Sequence, residues 1–312
     1  MTLKLETTFE RIGRKIFTPI SPILADKVAL SGKNVGRTSD LFLKTWMGRI
    51  GLAIILFFVI VALVAQLLMP PALGSADRRM SPSPEHLFGT DQDGKDIFSR
   101  IAHGTGASLT IGFVAMAISM GLGTLVGLAS GYWGGWRDEV IMRINDVFLS
   151  IPWLVFMIVI AAIWGSQSIG SVIVVIGLTG WSTTARIVRS QVLSLKERQF
   201  VERAKAIGSG EWHIIRRHIF PNVVPLIFAN AILTIAISIL SESTLSFLGL
   251  GPQNVETWGR ILENAYDEGV ALIPGRSLFI IMPGICIVIV VLGFTFIGYA
   301  MDEVLNPKLR RR

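Results

Sequence analysis

The run Gly89-Thr90-Asp91-Gln92-Asp93-Gly94-Lys95-Asp96 is the first place where residue types and spacing suggest chemistry. It has the G-x-x-x-x-G-K frame of a phosphate-binding loop, in which backbone N–H groups cradle phosphates and a following Ser or Thr holds magnesium. Asp96 stands where that hydroxyl is needed, and Asp91 and Asp93 would repel phosphate. No apolar strand precedes the run, so nucleotide binding is rejected here. Calcium fits poorly too, because Gly94 falls at the fourth position of such a loop and not the sixth. The run reads as a polar turn. His86, His103, His213 and His218 are scattered along the chain, and the single cysteine, Cys286, can form neither an internal disulfide nor a cysteine metal cluster. No convergent cluster of an enzyme is visible.

A second pattern is Asn230, Thr234, Ser238, Glu242 and Ser246, each four residues from the last. Residues at that spacing lie along one slowly winding helix face. Five polar groups in register, one of them a carboxylate, read as a wall facing water or another polar helix. An ionisable group in such a setting is a functional hypothesis by default. We take the row as the lining of a translocation path, with hydrogen bonding between helices as the alternative. Gly123, Gly127, Gly131 and Gly135 also recur every four residues from the second span into the loop after it, and within the span they make a small-residue face that lets helices approach closely.

Both rows need helices to carry them, and composition names the solvent of those helices. Of 312 residues, 51% are hydrophobic and 16% charged, and the mean hydropathy is +0.59. A soluble domain carries about 25% charged residues, and disordered chains are poor in apolar residues. Lipid is therefore part of the solvent. A helix needs about 20 apolar residues to cross the hydrocarbon core. Five stretches free of Asp, Glu, Lys and Arg qualify: 50–73, 101–136, 147–185, 218–241 and 277–301. The third is too long for one crossing, and Gly165-Ser166-Gln167-Ser168-Ile169-Gly170 in its middle reads as a turn. The expected fold is an all-α membrane protein with six transmembrane helices. Barrel strands would alternate in polarity, whereas these runs are solidly apolar.

The expected segments are 1–46, outside the membrane; the spans 47–69, 107–130, 147–165, 169–185, 222–248 and 277–301; inner loops 131–146 and 186–221; external loops 70–106 and 249–276; and a basic tail, 302–312. Span 47–69 follows nine basic residues and lies too far from the start for a secretory signal, so it is expected to be a retained anchor. Lys and Arg favour the cytoplasmic side. With the amino terminus inside, the inner segments hold 23 basic groups and the outer ones six. Both termini are therefore expected in the cytoplasm. The net charge of +7 reports this topology and gives no support to a nucleic-acid partner.

The inner loop 186–221 holds two short amphipathic patterns. Phe200, Ala204 and Ile207 share one helical face, Trp212, Ile215 and Ile219 another, and Gly208 and Gly210 supply the turn between them. Such helices either lie on lipid or dock into a groove on a soluble partner, and spacing alone does not choose. The loop resembles the coupling loop of importer-type ABC permeases, E-A-A-x3-G-x9-I-x-L-P. Glu202, Ala204, Gly208 and Pro221 match in spacing, with Arg203, His218 and Phe220 as departures. The ending Arg217-His218-Ile219-Phe220-Pro221-Asn222 is similar to the peptide-transporter branch. Phe88-Gly89-Thr90-Asp91 with Gly94-Lys95-Asp96 and Ser99-Arg100 resembles the FGTDxxGRDxxSR signature of the C-type subunit of dipeptide, oligopeptide and nickel permeases, Lys95 replacing Arg. Gly131-Tyr132-Trp133-Gly134-Gly135 with Pro152, Leu245 to Gly251 with Trp258-Gly259, and the tail Leu305-Asn306-Pro307-Lys308 are also similar. The match runs from about residue 42 to the end.

What the resemblance implies is a type I ABC importer permease fold in a bacterial or archaeal inner membrane. It implies a heterodimer with a homologous second permease, two cytosolic ATPases that carry the ATP and magnesium, and an external solute-binding protein. No cofactor is expected on this chain. Glu202, Ala204, Ala206, Gly208, Trp212, His218, Pro221 and Asn222 would form the ATPase-coupling loop. Peptides are the expected solute, with nickel chelates or oligosaccharides as alternatives within the family. An ion-driven transporter is the rival, but it calls for intramembrane charges in several spans, and Glu242 is the only credible one.

Overall fold

The computed structural model describes residues 40–165 and 168–305. The leader up to residue 39, Ser166 and Gln167 of the expected turn, and the tail from Asn306 onward lie outside the described residues. Those described are mostly helical, with 69–96 and 248–257 as the longest non-helical segments and a single bridge between Thr90 and Asp96.

Helix α1 spans Trp46–Leu68, its first turn capped by Thr45, whose hydroxyl accepts from the Gly48 amide at 3.1 Å. Helix α2, Ile97–Trp133, is 37 residues long and starts well before the expected span at 107. Two features extend it. Asp96 caps the orphan amide of Ser99 at 3.2 Å, and Arg100 is neutralised by partners outside the helix, so its charge does not end the element.

The third expected span differs most. In place of one helix over 147–165 there is α3, Gly135–Ser150, then α4, Trp153–Trp164, bent by 90°. Pro152 causes the break: it lacks an N–H, and it pushes Ile151 into extended backbone (φ −87°, ψ 131°). The expected loop 131–146 is thus largely helix. Five charged residues (Arg137, Asp138, Glu139, Arg143 and Asp146) keep the first three turns of α3 out of hydrocarbon. The 12 residues of α4 rise only about 18 Å at 1.5 Å each, short of the roughly 30 Å core. Among the described residues, five helices are long and apolar enough to cross a membrane, and the count reaches six only when the bent pair is taken as one span.

Helices α5 (Ile169–Thr179) and α6 (Trp181–Lys196) run on from each other across Gly180. Then come the short α7 (Gln199–Ala206) and α8 (Glu211–Ile214), a π-helical turn at Ile215–Ile219, and α9 (Phe220–Phe247). Amphipathic α10 (Trp258–Asp267) and the apolar α11 (Leu278–Leu305) complete the chain.

Helix α2 organises the molecule. Its beginning joins α1, α9, α10 and α11 in a core built on Phe58, Ile101, Ile239, Trp258 and Phe279. Its middle packs Ile111 and Ala115 with Met157 of α4 and Val175 of α5. Its end meets Val188 and Val192 of α6, Val201 of α7 and Ile219. Large apolar side chains such as Phe57, Leu63 and Leu67 on α1 and Val288 on α11 face outward. That would be a liability in water and is the rule against lipid tails.

Candidate functional site

Three constellations stand out: an ion network at the beginning of α2, a polar cavity along its middle, and the paired short helices at its end.

In the first, the apparent phosphate loop serves as a clamp. Asp91 Oδ1 accepts the amides of Asp93 (2.9 Å) and Lys95 (2.8 Å), and Oδ2 accepts from Arg100 Nη1 at 2.7 Å. Arg100, only 1% exposed, also donates from Nη2 to Glu256 at 2.8 Å, tying the loop to the segment before α10. Arg276 Nη2 donates to the Thr90 carbonyl at 2.8 Å and to Glu268 at 3.3 Å. With its oxygens taken, Asp91 offers nothing to a cation, and among the described residues no three His, Cys, Asp or Glu side chains come together as metal ligands. The loop's polarity was legible in the sequence, but not its partners Glu256 and Arg276, which lie more than 150 residues away.

The row on α9 divides. Asn230, Thr234 and Ser238 line a cavity of about 400 Å³ walled by α2, α4, α5, α6 and α9. Glu242 and Ser246, one and two turns further on, do not reach it. Both are fully buried. Ser246 Oγ donates to Glu242 Oε1 at 2.7 Å, and Ser108 of α2 and Ser243 lie 3.4 Å from Oε2. Ser108 Oγ in turn accepts the Trp258 amide at 3.2 Å. Each step of four residues overshoots a full turn by about 40° in the helix's own right-handed sense, which carries the later members around α9, away from the cavity and towards α2 and α10. Ser108, Ser119 and Thr184 are the polar residues that spacing on one helix could not reveal.

Of the four spaced glycines, three form the expected close contact. Gly123, Gly127 and Gly131 face Thr184, Val188 and Val192 of α6. Gly135 instead is the first residue of α3, with φ +60° and no heavy atom near its missing Cβ. Beside it, Arg189 of α6 donates to both oxygens of Asp138 at 2.6 and 2.5 Å, and Ser130 adds a short hydrogen bond. The Arg189 bonds hold the Asp138 carboxyl below the usual carboxylate range. Lys196 Nζ donates to the Tyr132 carbonyl at 2.5 Å. This network staples α3 to the end of α2.

In the 186–221 loop, Val201 and Ala204 of α7 pack against Ile214, Ile215 and Ile219. Gly208 makes the turn with φ +81°, the left-handed region that favours glycine. Glu202, Ala206, Pro221 and Asn222 are exposed, His218 is half-buried, and Asn222 Nδ2 donates to the His218 carbonyl at 2.7 Å. The expected faces are redistributed. Ala204 points inward, whereas Ile207 and Trp212 are 83% and 68% exposed, and Phe200 is also exposed. Helix α7 ends at Ala206, so Ile207 lies beyond its periodicity, and the π-turn after α8 shifts the phase that would have grouped Trp212 with Ile215 and Ile219. Trp133 Nε1 donates to Glu211 at 3.1 Å, fixing the loop to the end of α2.

The profile of a family described as the binding-protein-dependent transport system inner membrane component matches residues 123–311. The chain belongs to this family. The matched region of this permease includes the spaced glycines, the α6 network, the paired short helices and the whole of α9. The permease is 38% identical over 271 residues to a dipeptide transport system permease protein of Alkalihalophilus pseudofirmus, covering 86% of this chain and 88% of that one. It is 37% identical to a glutathione transport system permease protein of Pectobacterium atrosepticum, covering 82% and 85%. Among solved structures, an inward-facing MetNI methionine ABC transporter chain superposes with a TM-score of 0.54 at 19% identity, covering 67% of this chain and 98% of that one. That likeness supports the importer permease fold. The permease is an inner membrane protein of a binding-protein-dependent importer, in a family whose permease subunits are not catalytic.

Proposed function

We propose that this chain is one permease of a heterodimeric peptide importer, with both termini in the cytoplasm, two cytosolic ATPases docked on its inner loop and an external solute-binding protein delivering the solute. The observation that carries the coupling role is the exposed trio Phe200, Ile207 and Trp212 on a loop braced by Gly208 and the Trp133–Glu211 hydrogen bond. Exposed apolar side chains on a rigid polar loop suit a groove on a soluble partner. Glu202, Ala206, His218, Pro221 and Asn222 form the polar rim of that contact. ATP and magnesium belong to the ATPases, and this chain makes and breaks no bond; it carries no cofactor and contacts no nucleic acid. ATP-driven closure moves the loop and tips the helices between inward- and outward-facing states.

Peptide is the proposed solute because relatives matched over most of their length are named for dipeptide and glutathione transport. The cavity along α9 is this subunit's half of the path, with Asn230, Thr234 and Ser238 as its wall. Glu242 and Ser246 belong to the packing of α9 on α2. Uptake of a radiolabelled dipeptide by cells expressing the complex tests the reading. It should stop on ATP depletion and survive an uncoupler, and ATPase subunits should copurify with the tagged chain. Uptake that collapses with the uncoupler while ATP is held constant would show an ion-driven carrier instead.

A further inference from the structure

Helix α3 has three faces, and the fold accounts for only two of them. The inward face is committed: Asp138 is bonded to Arg189, Asn145 is buried, and Phe148 packs edge-on against Trp181 of α6 with 5.3 Å between ring centroids. A second face is charged, with Arg143 and Glu139 paired at 3.8 Å and Asp146 bonded to Arg186 at 2.5 Å. The third is apolar and uncovered. Trp136, Val140, Ile144 and Val147 are 72%, 49%, 52% and 61% exposed. Their spacings of four, four and three residues set them on one stripe about 80° wide, since each residue turns a helix by about 100°. A row of large apolar side chains on the outside of a helix calls for a cover.

Three observations choose that cover. First, α3 is bent by 90° from α4, an apolar helix that turns Leu154, Val155 and Ile163 outward. A helix at right angles to one that enters hydrocarbon runs along the membrane surface and not through it. Second, Trp133 and Trp136 are both exposed at this end of α2, and so is Trp46 at the beginning of α1. Consecutive spans run in opposite directions, so all three rings lie at one side of the membrane, where an amphipathic ring settles at headgroup level. Third, Arg137 flanks the stripe with its guanidinium 5.9 Å from the centre of the Trp136 ring, and among the described residues it has no ion-pair partner. A lone cation beside an apolar stripe complements an anionic lipid surface. A protein partner covers about 20–30 residues a side, whereas this stripe is four side chains edged by charge.

We infer that α3 is an interfacial helix that lays Trp136, Val140, Ile144 and Val147 on the membrane surface at the end of α2, with Arg137 against the phosphate of an anionic lipid. Through Asp138–Arg189 and Asp146–Arg186 the same helix ties α6 to the bilayer. The inference needs only that the chain is a membrane protein, and it stands apart from the choice of solute.

Fluorescence quenching of the full chain in lipid nanodiscs tests this. Cys286 is the only cysteine, so Cys286→Ser gives a thiol-free parent for Val140→Cys and Ile144→Cys on the stripe and Glu139→Cys on the charged face, each labelled with bimane. The control breaks only the exposed Arg143–Glu139 pair, which is worth little. Phosphatidylcholine with a nitroxide high on its acyl chain should quench the two stripe labels at least about twofold more than the control, as expected for side chains sunk to the headgroup boundary, and aqueous iodide should rank the sites in reverse. When the nitroxide is carried by phosphatidylglycerol, quenching at Val140→Cys should show an excess of up to about fivefold, the factor for one arginine near an anionic surface. Arg137→Ala should remove that excess, and its persistence overturns the headgroup contact. Equal lipid quenching at all three sites overturns the interfacial helix. So does a benzophenone maleimide on Ile144→Cys that, in membranes holding the complete importer, joins the chain to another subunit on illumination, because the stripe is then a protein interface.

Discussion

Replacing Gly127 with alanine measures how closely α2 and α6 must approach. A methyl group built at Gly127 comes 2.6 Å from the Ala185 carbonyl oxygen and 2.8 Å from Val188 Cβ. Neither neighbour can swing aside, since one is helix backbone and the other a β-carbon. Ordinary contact starts at 3.4 Å, so the helices must separate by about 0.8 Å. A gap of about 0.5–1 Å forfeits a quarter to a half of the attraction of each contact it opens, and this one opens along the whole line from Gly123 to Gly131. Overpacking of this kind costs about 1–3 kcal/mol. Gly121 is the internal control: it lies on the same helix, is exposed, and has no heavy atom within 4 Å of its missing Cβ. Alanine there only restricts the backbone and is neutral or stabilising by up to about 1 kcal/mol. The same substitution six residues apart is therefore expected to act with opposite sign. Unfolding of the purified chain in detergent micelles, by heat and by titration with a denaturing detergent, reads both. The double variant Gly123→Ala/Gly127→Ala should cost less than the two singles together, because the first has already parted the helices. Equal stability of Gly127→Ala and Gly121→Ala would refute the close-packing argument.

Arg100→Met leaves Asp91 buried without its cation and is expected to destabilise the chain by about 3–5 kcal/mol; adding Asp91→Asn should restore much of this in the same unfolding assay. The Asp138 carboxyl is held below its usual range by Arg189, so its contribution is fully present above the ordinary carboxylate range and is lost as pH falls through the depressed value. Protease cleavage within α3 should accordingly rise only in strong acid, whereas in Asp138→Asn it should be high at every pH. Gly208→Val meets no atom but must adopt φ +81°, a strain of about 1–2 kcal/mol. The chain should still insert, and ATP hydrolysis by the complex should lose its response to the binding protein; a normal response would count against the coupling role of the loop.

How much of this was legible beforehand depended on the range of the interaction. Membrane crossings depend on the composition of one continuous segment, so the helical class and the five long spans could be read directly. The glycine face at 123, 127 and 131 was readable for the same reason, since helix geometry alone brings residues four apart to one side. Pro152 was visible in the sequence, but its consequence was not. A proline forbids helix locally without saying how far the chain turns, and the 90° bend is set by the packing of α4 on α5. The polar row on α9 shows the boundary most clearly. Spacing put five residues on one winding face; only the positions of α2 and α10 could divide them into cavity wall and buried core.

The amino-acid sequence by itself determined the solvent, the helical class, the small-residue contact face and the motifs that place the chain in its family. Each is a property of neighbours along the chain. Tertiary structure decided that the Gly89–Asp96 loop is a clamp closed by Arg100, that Glu256 and Arg276 complete it, and that Glu242 is buried. A hydrogen bond or an ion pair needs two groups within about 3 Å, and no periodicity within a helix specifies which distant residue will supply the second.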